Sequence, residues 1–378
     1  MVLYNKYRPY NFDLICGQEP IKKVLSYQVK EDKLSHTYLF TGPAGTGKTT
    51  IARILAAMIN SSAGMTLCPD IADKFVGAIM KGNSTLDVVE LDAASQGGID
   101  EIRDIRERAA YCPAEMRMKV YIIDECHQLT TAAWQALLKI LEEPPKHVIF
   151  ILCTTEANKV PETILTRAMS FRFLPITLQD MVGYIKKITI QEGLEVSEEA
   201  LRMISKSSAG SMRQALSSLD KLMALGSKKI EADEVSKLIG MPSRKLAKEY
   251  IASALNGKFL IGHAASSEAI GAGISAQDFL EEVANYLHGL IFSTIPEYDL
   301  SGQGYSLEDT NELKDTLNLF IKSLENGMTS SVLIRSCRIV DMGHKLSVYN
   351  TQPQYQVDVV WAELRAEIKK NLKKIPVS

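Results

Sequence analysis

The chain of 378 residues holds six cysteines and not one C-x-x-C pair: Cys16, Cys68, Cys112, Cys126, Cys153 and Cys337 lie far apart. Scattered thiols of this kind argue against a disulfide framework and a structural metal, and suit a reducing cytosol. No apolar run is long enough to cross a bilayer. The opening Met1-Val2-Leu3-Tyr4-Asn5-Lys6 lacks the apolar core of a signal peptide. A cytoplasmic protein without membrane contact is therefore expected. Neither sign of charge dominates: 43 Lys and Arg face 45 Asp and Glu, a net charge of -2. Any nucleic-acid contact must then be a local patch rather than a property of the whole surface. Internal repeats and low-complexity segments are also missing. What remains, 46% hydrophobic and 23% charged, is a globular composition long enough for two or three domains.

Up to about residue 175, short apolar runs alternate with amphipathic stretches, which predicts a parallel α/β sheet. The strand candidates are Tyr38–Phe40, Leu86–Leu91, Val120–Ile123 and Val148–Leu152, rich in Val, Ile and Leu as strands buried on both faces should be. Beyond about 176 the strand signal fades. Residues 177–241 read as short helices broken at Gly193, Gly210, Gly226 and Gly240, and 242–378 as longer ones. Val357, Val360, Trp361, Leu364, Ile368 and Leu372 form a stripe at helical spacing, read as a core face. The basic Lys369-Lys370 and Lys373-Lys374 read as a solvated helix end.

Gly42-Pro43-Ala44-Gly45-Thr46-Gly47-Lys48-Thr49 is the most informative stretch, because it matches the phosphate-binding loop G-x-x-x-x-G-K-[ST]. The apolar Thr37–Phe40 before it reads as a buried strand. Thr50–Ile59 after it, with Ile51, Ile54, Leu55 and Met58 at helical spacing, reads as a helix. The glycines let backbone N–H groups wrap phosphates, and the helix start adds a favourable dipole. Lys48 is placed to reach the β/γ-phosphates of a nucleoside triphosphate, and the Thr49 hydroxyl to hold Mg²⁺.

A second anchor is Val120-Tyr121-Ile122-Ile123-Asp124-Glu125, an apolar strand ending in two acids. At the strand's carboxyl end Asp124 would hold Mg²⁺, mostly through water. Glu125 would polarise the water that attacks the γ-phosphate. Thr154-Thr155 ends the expected neighbouring strand, where a hydroxyl can orient that water. Arg167, after a Pro161 loop, and Arg213, at the start of a helix, each read alone as surface arginines. They matter because phosphoryl transfer needs extra positive charge, often from a neighbour.

With these residues laid out, the chain resembles the AAA+ clamp-loader family, that of the gamma/tau subunit of bacterial DNA polymerase III and the small subunits of replication factor C. The resemblance rests on Lys6-Tyr7-Arg8-Pro9, Gly17-Gln18-Glu19, the phosphate loop, Leu91-Asp92-Ala93-Ala94-Ser95, Ile123-Asp124-Glu125-Cys126-His127, and Leu137-Leu138-Lys139-Ile140-Leu141-Glu142-Glu143-Pro144-Pro145. It covers roughly the first 240 residues. It implies an AAA+ core over 1–175, a helical lid over 176–241 and an all-α collar for oligomerisation over 242–378. Within Lys6–Pro9, Arg8 and Pro9 would line the adenine pocket, while Pro43, Ala44, Gly45, Thr46, Gly47, Lys48, Thr49 and Thr50 would bind the nucleotide along the phosphate loop. Thr155 would be the first sensor, Arg213 the second, and Arg167 an arginine finger reaching the ATP of the adjacent subunit. The family usually reads Ser-Arg-Cys where this chain has Thr166-Arg167-Ala168. The Gly98–Ile99 helix start, with Arg103 and Lys139 beside it, would grip a DNA phosphate, although Arg103 reads as readily as a solvated arginine. Ala110, Tyr111 and Cys112 lie where family members dock on the sliding clamp, and Tyr111 reads as either an aromatic anchor or a core tyrosine.

The implied activity is ATP hydrolysis by one subunit of a ring-like, pentameric assembly that loads a clamp onto primer–template DNA, and so serves the replicative polymerase indirectly. The implied cofactors are ATP and Mg²⁺. The bacterial gamma subunit carries a four-cysteine zinc module at 60–82; this chain keeps only Cys68 there, so no zinc is expected. That loss fits a divergent, viral loader better than a cellular bacterial one. Three rival readings are weighed. Asp124-Glu125-Cys126-His127 also resembles the DExH box of superfamily 2 helicases, but 242–378 offers no second α/β pattern. Another AAA+ remodeller, such as a branch-migration motor, lacks the Lys6–Pro9 and Ala93-Ala94-Ser95 matches. A non-hydrolysing architectural subunit is disfavoured by intact Lys48, Thr49, Asp124 and Glu125.

Overall fold

The computed structural model describes residues 2–226, 228–239, 244–295, 298, 307–325, 328–347 and 352–372. The Gly240 break, the expected 241/242 boundary and Lys373-Lys374 lie outside the described residues. In chain order the nucleotide-loop half contains α1 (Leu3–Lys6), α2 (Glu19–Lys30), β1 (Thr37–Thr41), α3 (Lys48–Ile59), α4 (Lys74–Lys81), β2 (Val88–Asp92), α5 (Ile99–Ala109), β3 (Lys119–Asp124), α6 (Thr131–Glu142), β4 (Val148–Thr154), α7 (Glu162–Leu165) and β5 (Met169–Arg172). It is followed by α8 (Leu178–Gln191), β6 (Glu195–Val196), α9 (Glu198–Ser207), α10 (Met212–Met223), β7 (Lys229–Ile230) and α11 (Ala232–Ile239). Then come α12 (Arg244–Asn256), α13 (Phe259–Gly271), α14 (Ala276–Phe292), α15 (Leu307–Ser323), α16 (Thr329–Ser347) and α17 (Pro353–Lys370).

The chain divides into two compact units. One comprises Met1–Gln191 with Ser208–Asp220, the other Glu192–Ser207 with Lys221–Ser378. The first is built on a five-stranded sheet ordered β2-β3-β4-β1-β5, parallel at every pairing as the composition predicts. Side-chain alternation sorts its buried residues onto two faces. Tyr38, Phe40, Val120, Ile122, Ile149, Ile151 and Cys153 face α2, α3 and α4. Leu39, Tyr121, Ile123, Phe150 and Leu152 face α5 and α6. Both faces being covered explains why the strands read as unbroken apolar runs.

Strand β2 starts later than its apolar run suggests. Leu86 is 72% exposed. The buried Asp87 carboxylate instead accepts backbone N–H bonds from Ala114, Glu115 and Met116 at 2.7 to 3.0 Å. Burial alone would raise its pKa, but these donors and Lys119 hold it below the ordinary value. Strand β5 went unread because it is a mostly exposed edge, Met169-Ser170-Phe171-Arg172, with little apolar signal. Helix α3 begins at Lys48, two residues before its expected start at Thr50, because Gly47 at φ 101° turns the chain directly into it.

Among its described residues the second unit is helical apart from the two-residue pair β6 and β7 and an isolated bridge between Leu324 and Leu372. Its core joins Tyr250, Phe279, Leu287, Phe320 and Val340 to Val357, Val360, Trp361, Leu364 and Ile368. The α17 stripe is thus a core face, as its spacing predicts.

Between α3 and α4 the chain is tied by one acid. Asp73 caps α4 by accepting from the N–H groups of Phe75 and Val76, and its other oxygen accepts from the Ser62 N–H at 2.7 Å and the Ser62 hydroxyl at 2.5 Å. Burial pushes its pKa up, yet the Ser62, Phe75 and Val76 donors prevail and hold it at about 2, against 3.8 ordinarily. Asp73→Ala is expected to cost about 1–2 kcal/mol, as lost N-caps do, measured by urea denaturation near neutral pH. Because the folded pKa is depressed, the Asp73 contribution is complete above 3.8 and vanishes as pH falls toward 2. The stability difference between wild type and Asp73→Ala should therefore narrow over that acid range; a constant difference would show that the carboxylate charge contributes nothing.

Candidate active site

The carboxyl ends of β1, β3 and β4 meet at the point where the chain leaves β1 for the far edge of the sheet, the usual location of ligand crevices in α/β folds. Gly42 continues β1 by donating its N–H to the Thr154 carbonyl at 3.2 Å. A Cβ at Gly42 would run into the Phe173 backbone carbonyl. At Gly45, φ 75°, it would meet the Ser211 hydroxyl and lie 3.2 Å from the Arg213 Cβ. The Gly45 carbonyl accepts from Met212 N at 3.1 Å, so the loop packs directly against the start of α10.

Within the loop the Lys48 ammonium donates to the carbonyls of Gly42 and Pro43, at 2.8 Å each. Thr46 Oγ1 donates to the same Pro43 carbonyl at 2.8 Å. Burial lowers the Lys48 pKa, while Cys153, Glu125 and Asp124 nearby pull it upward. Thr49 Oγ1 donates to Asp124 Oδ2 at 2.7 Å. Asp124 Oδ1 accepts the N–H of Glu125 at 3.0 Å. Glu125 adopts the left-handed region, φ 46° and ψ 42°, a conformation non-glycine residues hold only where the surroundings enforce it. Its Oε2 accepts from Thr155 Oγ1 at 3.2 Å.

These groups open onto a single cleft, concave and lined by both polar and apolar side chains as small-molecule sites are. It is lined by Ala44 to Thr50, Asp124 and Glu125, by Tyr4, Tyr7, Arg8, Pro9, Ile15 and Cys16 from the amino-terminal segment, and by Ile176, Tyr184, Met212, Arg213 and Leu216. Thus Arg8, Pro9 and Arg213 sit with the loop, whereas Pro43 contributes its carbonyl to Lys48 rather than a cleft surface. Burial, then Arg53, lowers the Arg8 pKa; burial and then Asp180 push the Cys16 thiol up to about 12. The sequence offered no signal for Tyr4, Cys16 or Tyr184, which only the fold brings to the nucleotide loop. Thr49 and Asp124 are hard oxygen donors already side by side. Among the described residues no group of three or more His, Cys, Asp and Glu gathers to hold a metal. A divalent cation bound through one hydroxyl, one carboxylate and phosphate oxygens is the arrangement Mg²⁺ favours, so the residues fit it.

The other candidates lie elsewhere. Arg167 is exposed, donating to Glu142 Oε1 at 3.0 Å and to the Thr163 carbonyl at 2.8 Å. Gly98 is the N-cap of α5 and precedes Ile99, but Asp100 and Glu101 fill the first turn and Arg103 pairs with Asp100 at 3.2 Å. Lys139 is exposed on α6. Ala110, Tyr111 and Cys112 follow α5 and are all exposed, Tyr111 by 72%, so Tyr111 is no core residue. Cys68 is a free, exposed thiol.

Residues 17–177 match the family of the DNA polymerase III delta subunit, and residues 180–228 the ATPase lid domain of the DNA polymerase III clamp loader subunit. The DNA polymerase III subunit gamma of Buchnera aphidicola subsp. Schizaphis graminum is 33% identical over 377 residues, covering 98% of this chain and 99% of that one. The chain belongs to the DNA polymerase III gamma/tau clamp-loader family. The subunit tau of Bacillus subtilis is 44% identical over 250 residues, 65% of this chain but only 44% of its own length, so the chain spans under half of some longer relatives. Among solved structures, the RuvB branch migration motor of Thermotoga maritima aligns with a TM-score of 0.47 and 19% identity, over 74% of this chain and 91% of that one. The core is a parallel α/β fold followed by helical regions. No helix among the described residues is long and apolar enough to cross a membrane.

The tight seat of Gly45 yields a test. Gly45→Ala imposes about 1–2 kcal/mol of left-handed strain besides the clash with Ser211. Calorimetry with a non-hydrolysable ATP analogue is expected to show affinity reduced roughly tenfold or more; unchanged affinity would mean that the loop does not need its present path.

Proposed function

We propose that this chain is an ATP-hydrolysing subunit of a DNA sliding-clamp loader. The observation that carries the reading is the convergence, on one cleft, of the Lys48 loop, the Thr49–Asp124 pair and Glu125 with its Thr155 contact. Membership of the gamma/tau family supplies the setting. Residues 1–175 serve as the nucleotide-binding core, 176–241 as the lid and 242–378 as the collar that assembles subunits.

ATP is the substrate. Its phosphates lie along the loop N–H groups and Lys48, Arg213 approaches from the lid side, and Arg8 and Pro9 flank the base. Thr49 and Asp124 would hold Mg²⁺, which would supply charge neutralisation on the phosphate oxygens. Glu125 accepts a proton from the attacking water, and Thr155 holds Glu125 and orients that water. Arg167 is the finger for the adjacent subunit's nucleotide. Its exposed position and its exposed carboxylate partner, Glu142, leave it available for exchange onto a phosphate, since exposed pairs of this type contribute only ~0–1 kcal/mol. ATP binding closes a ring of subunits, pentameric by the family pattern, that opens a sliding clamp and grips primer–template DNA; hydrolysis releases both. Gly98, Ile99, Arg103 and Lys139 are proposed at the DNA, and Ala110, Tyr111 and Cys112 at the clamp. The exposed Tyr111 supports the latter, as an aromatic anchor.

Two variants test the mechanism. Glu125→Gln is expected to retain ATP binding but lose turnover. Arg167→Ala is expected to keep its own nucleotide pocket yet lose hydrolysis by roughly 10³-fold or more, as finger removal does. Mixing the two inactive variants in the assembled loader creates interfaces with an intact pocket and an intact finger. Partial recovery of ATPase is expected; none, in mixtures shown to co-assemble, would overturn action between subunits.

A further inference from the structure

His127 follows the Asp124-Glu125 pair by two residues, and nothing in the mechanism above employs it. Its side chain is only 5% exposed although it is polar and lies at the mouth of the sheet. Both ring nitrogens are engaged. Nδ1 lies 3.0 Å from Thr154 Oγ1 and 3.4 Å from Glu125 Oε2. Nε2 lies 3.0 Å from the Gln128 amide nitrogen and 3.3 Å from Glu156 Oε1. A carboxylate faces each nitrogen, Glu125 at Nδ1 and Glu156 at Nε2, but Nε2 also meets the donor nitrogen of Gln128 at the shorter distance, so the proton is placed on Nδ1. The Nδ1–H then faces Glu125 Oε2 and Thr154 Oγ1. Thr154 is itself pinned, its Oγ1 accepting the Glu156 N–H at 2.9 Å and its carbonyl accepting the Gly42 N–H. The ring is thus anchored to the end of β4, which also carries the start of the phosphate loop.

The geometry points to His127 as the positioning residue for Glu125, an inference that rests on the ATPase reading. Glu125 stands on a left-handed turn, so its backbone alone does not dictate where its carboxylate points. Thr155 Oγ1 donates to Oε2 at 3.2 Å, and His127 Nδ1 lies 3.4 Å from the same oxygen. Holding Oε2 from that side leaves Oε1 to take the proton of the attacking water. Without the imidazole, the carboxylate keeps one weak tether, Thr155, on a part-exposed side chain. A displacement of about 1 Å at such a group costs on the order of 10²-fold in rate, while nucleotide contacts, made by other residues, are untouched.

The test separates the two faces of the ring. In the full chain, His127→Asn keeps an amide nitrogen where Nδ1 was, and His127→Gln places its amide where Nε2 was. Both are polar and fill much of the volume. His127→Ala is expected to lower kcat for ATP on the order of 10²-fold with KM and ATP-analogue affinity unchanged. His127→Asn should recover most of the rate, and His127→Gln should not. If His127→Ala turns over like wild type, or loses affinity in step with rate, or if Gln rescues as well as Asn, His127 does not orient Glu125. Should the Ala variant fail to fold, the Asn and Gln pair carries the same test. Glu125→Gln, measured alongside, keeps the two readings apart: if it hydrolyses ATP like wild type, the ATPase assignment of Glu125 falls, and not the role of His127 alone.

Discussion

The candidate site depends on one pairing: strand β4 lies between β1 and β3, in register with both. Phe150 stands beside Thr37 on one side and Tyr121 on the other, and Thr41 lies beside Thr154. That register carries the phosphate loop, Asp124 and Thr154–Thr155 to the same level of the sheet. A slip by one residue would turn every buried side chain to the opposite face. It would also separate Thr49 from Asp124 and Thr155 from Glu125. The chemistry is set by hydrogen bonds between backbones, and the apolar residues on both faces, Tyr38 and Phe40 against Leu39 for instance, keep those strands from slipping.

How much of this could be read beforehand follows from the range of each signal. The loop from Gly42 to Thr49 is local: its glycines, lysine and threonine must sit at set spacings, so the sequence displays it directly. Asp124 and Glu125 became legible because an apolar strand leads into them. The Tyr4, Cys16 and Tyr184 lining is another matter, since those residues meet the loop only after α1 and α8 have packed around it. Strand β5 is an edge whose pairing with β1, rather than its composition, makes it a strand. Leu86 reads as strand with the apolar Val88, Val89 and Leu91 that follow, but Asp87, bonded to the backbone of residues 114–116, delays the strand to Val88. His127 was legible as a motif residue but not as a neighbour of Glu156, for that contact spans two strand ends.

The segment between α3 and α4 shows a different economy. Cys68 lies free on its surface, while Asp73 gathers Ser62, Phe75 and Val76 onto one carboxylate. Asn60, just past α3, exchanges two hydrogen bonds with the backbone of Met118, near 3.0 Å each, and so ties the same segment to β3. Side chains that imitate backbone pairing thus order a loop with few buried apolar contacts of its own.

The left-handed backbone of Glu125 has a consequence for how such subunits diverge. Glutamate there carries a conformational cost of about 1–2 kcal/mol that glycine would not. As long as hydrolysis is selected, the cost is retained. In a copy relieved of that duty, replacement of Glu125 by glycine or asparagine would relax the turn and make the fold more robust, so loss of activity at this position runs downhill. If Glu125 has the proposed role, a duplicated copy of such a chain would lose hydrolysis at this position with a gain in stability rather than a loss.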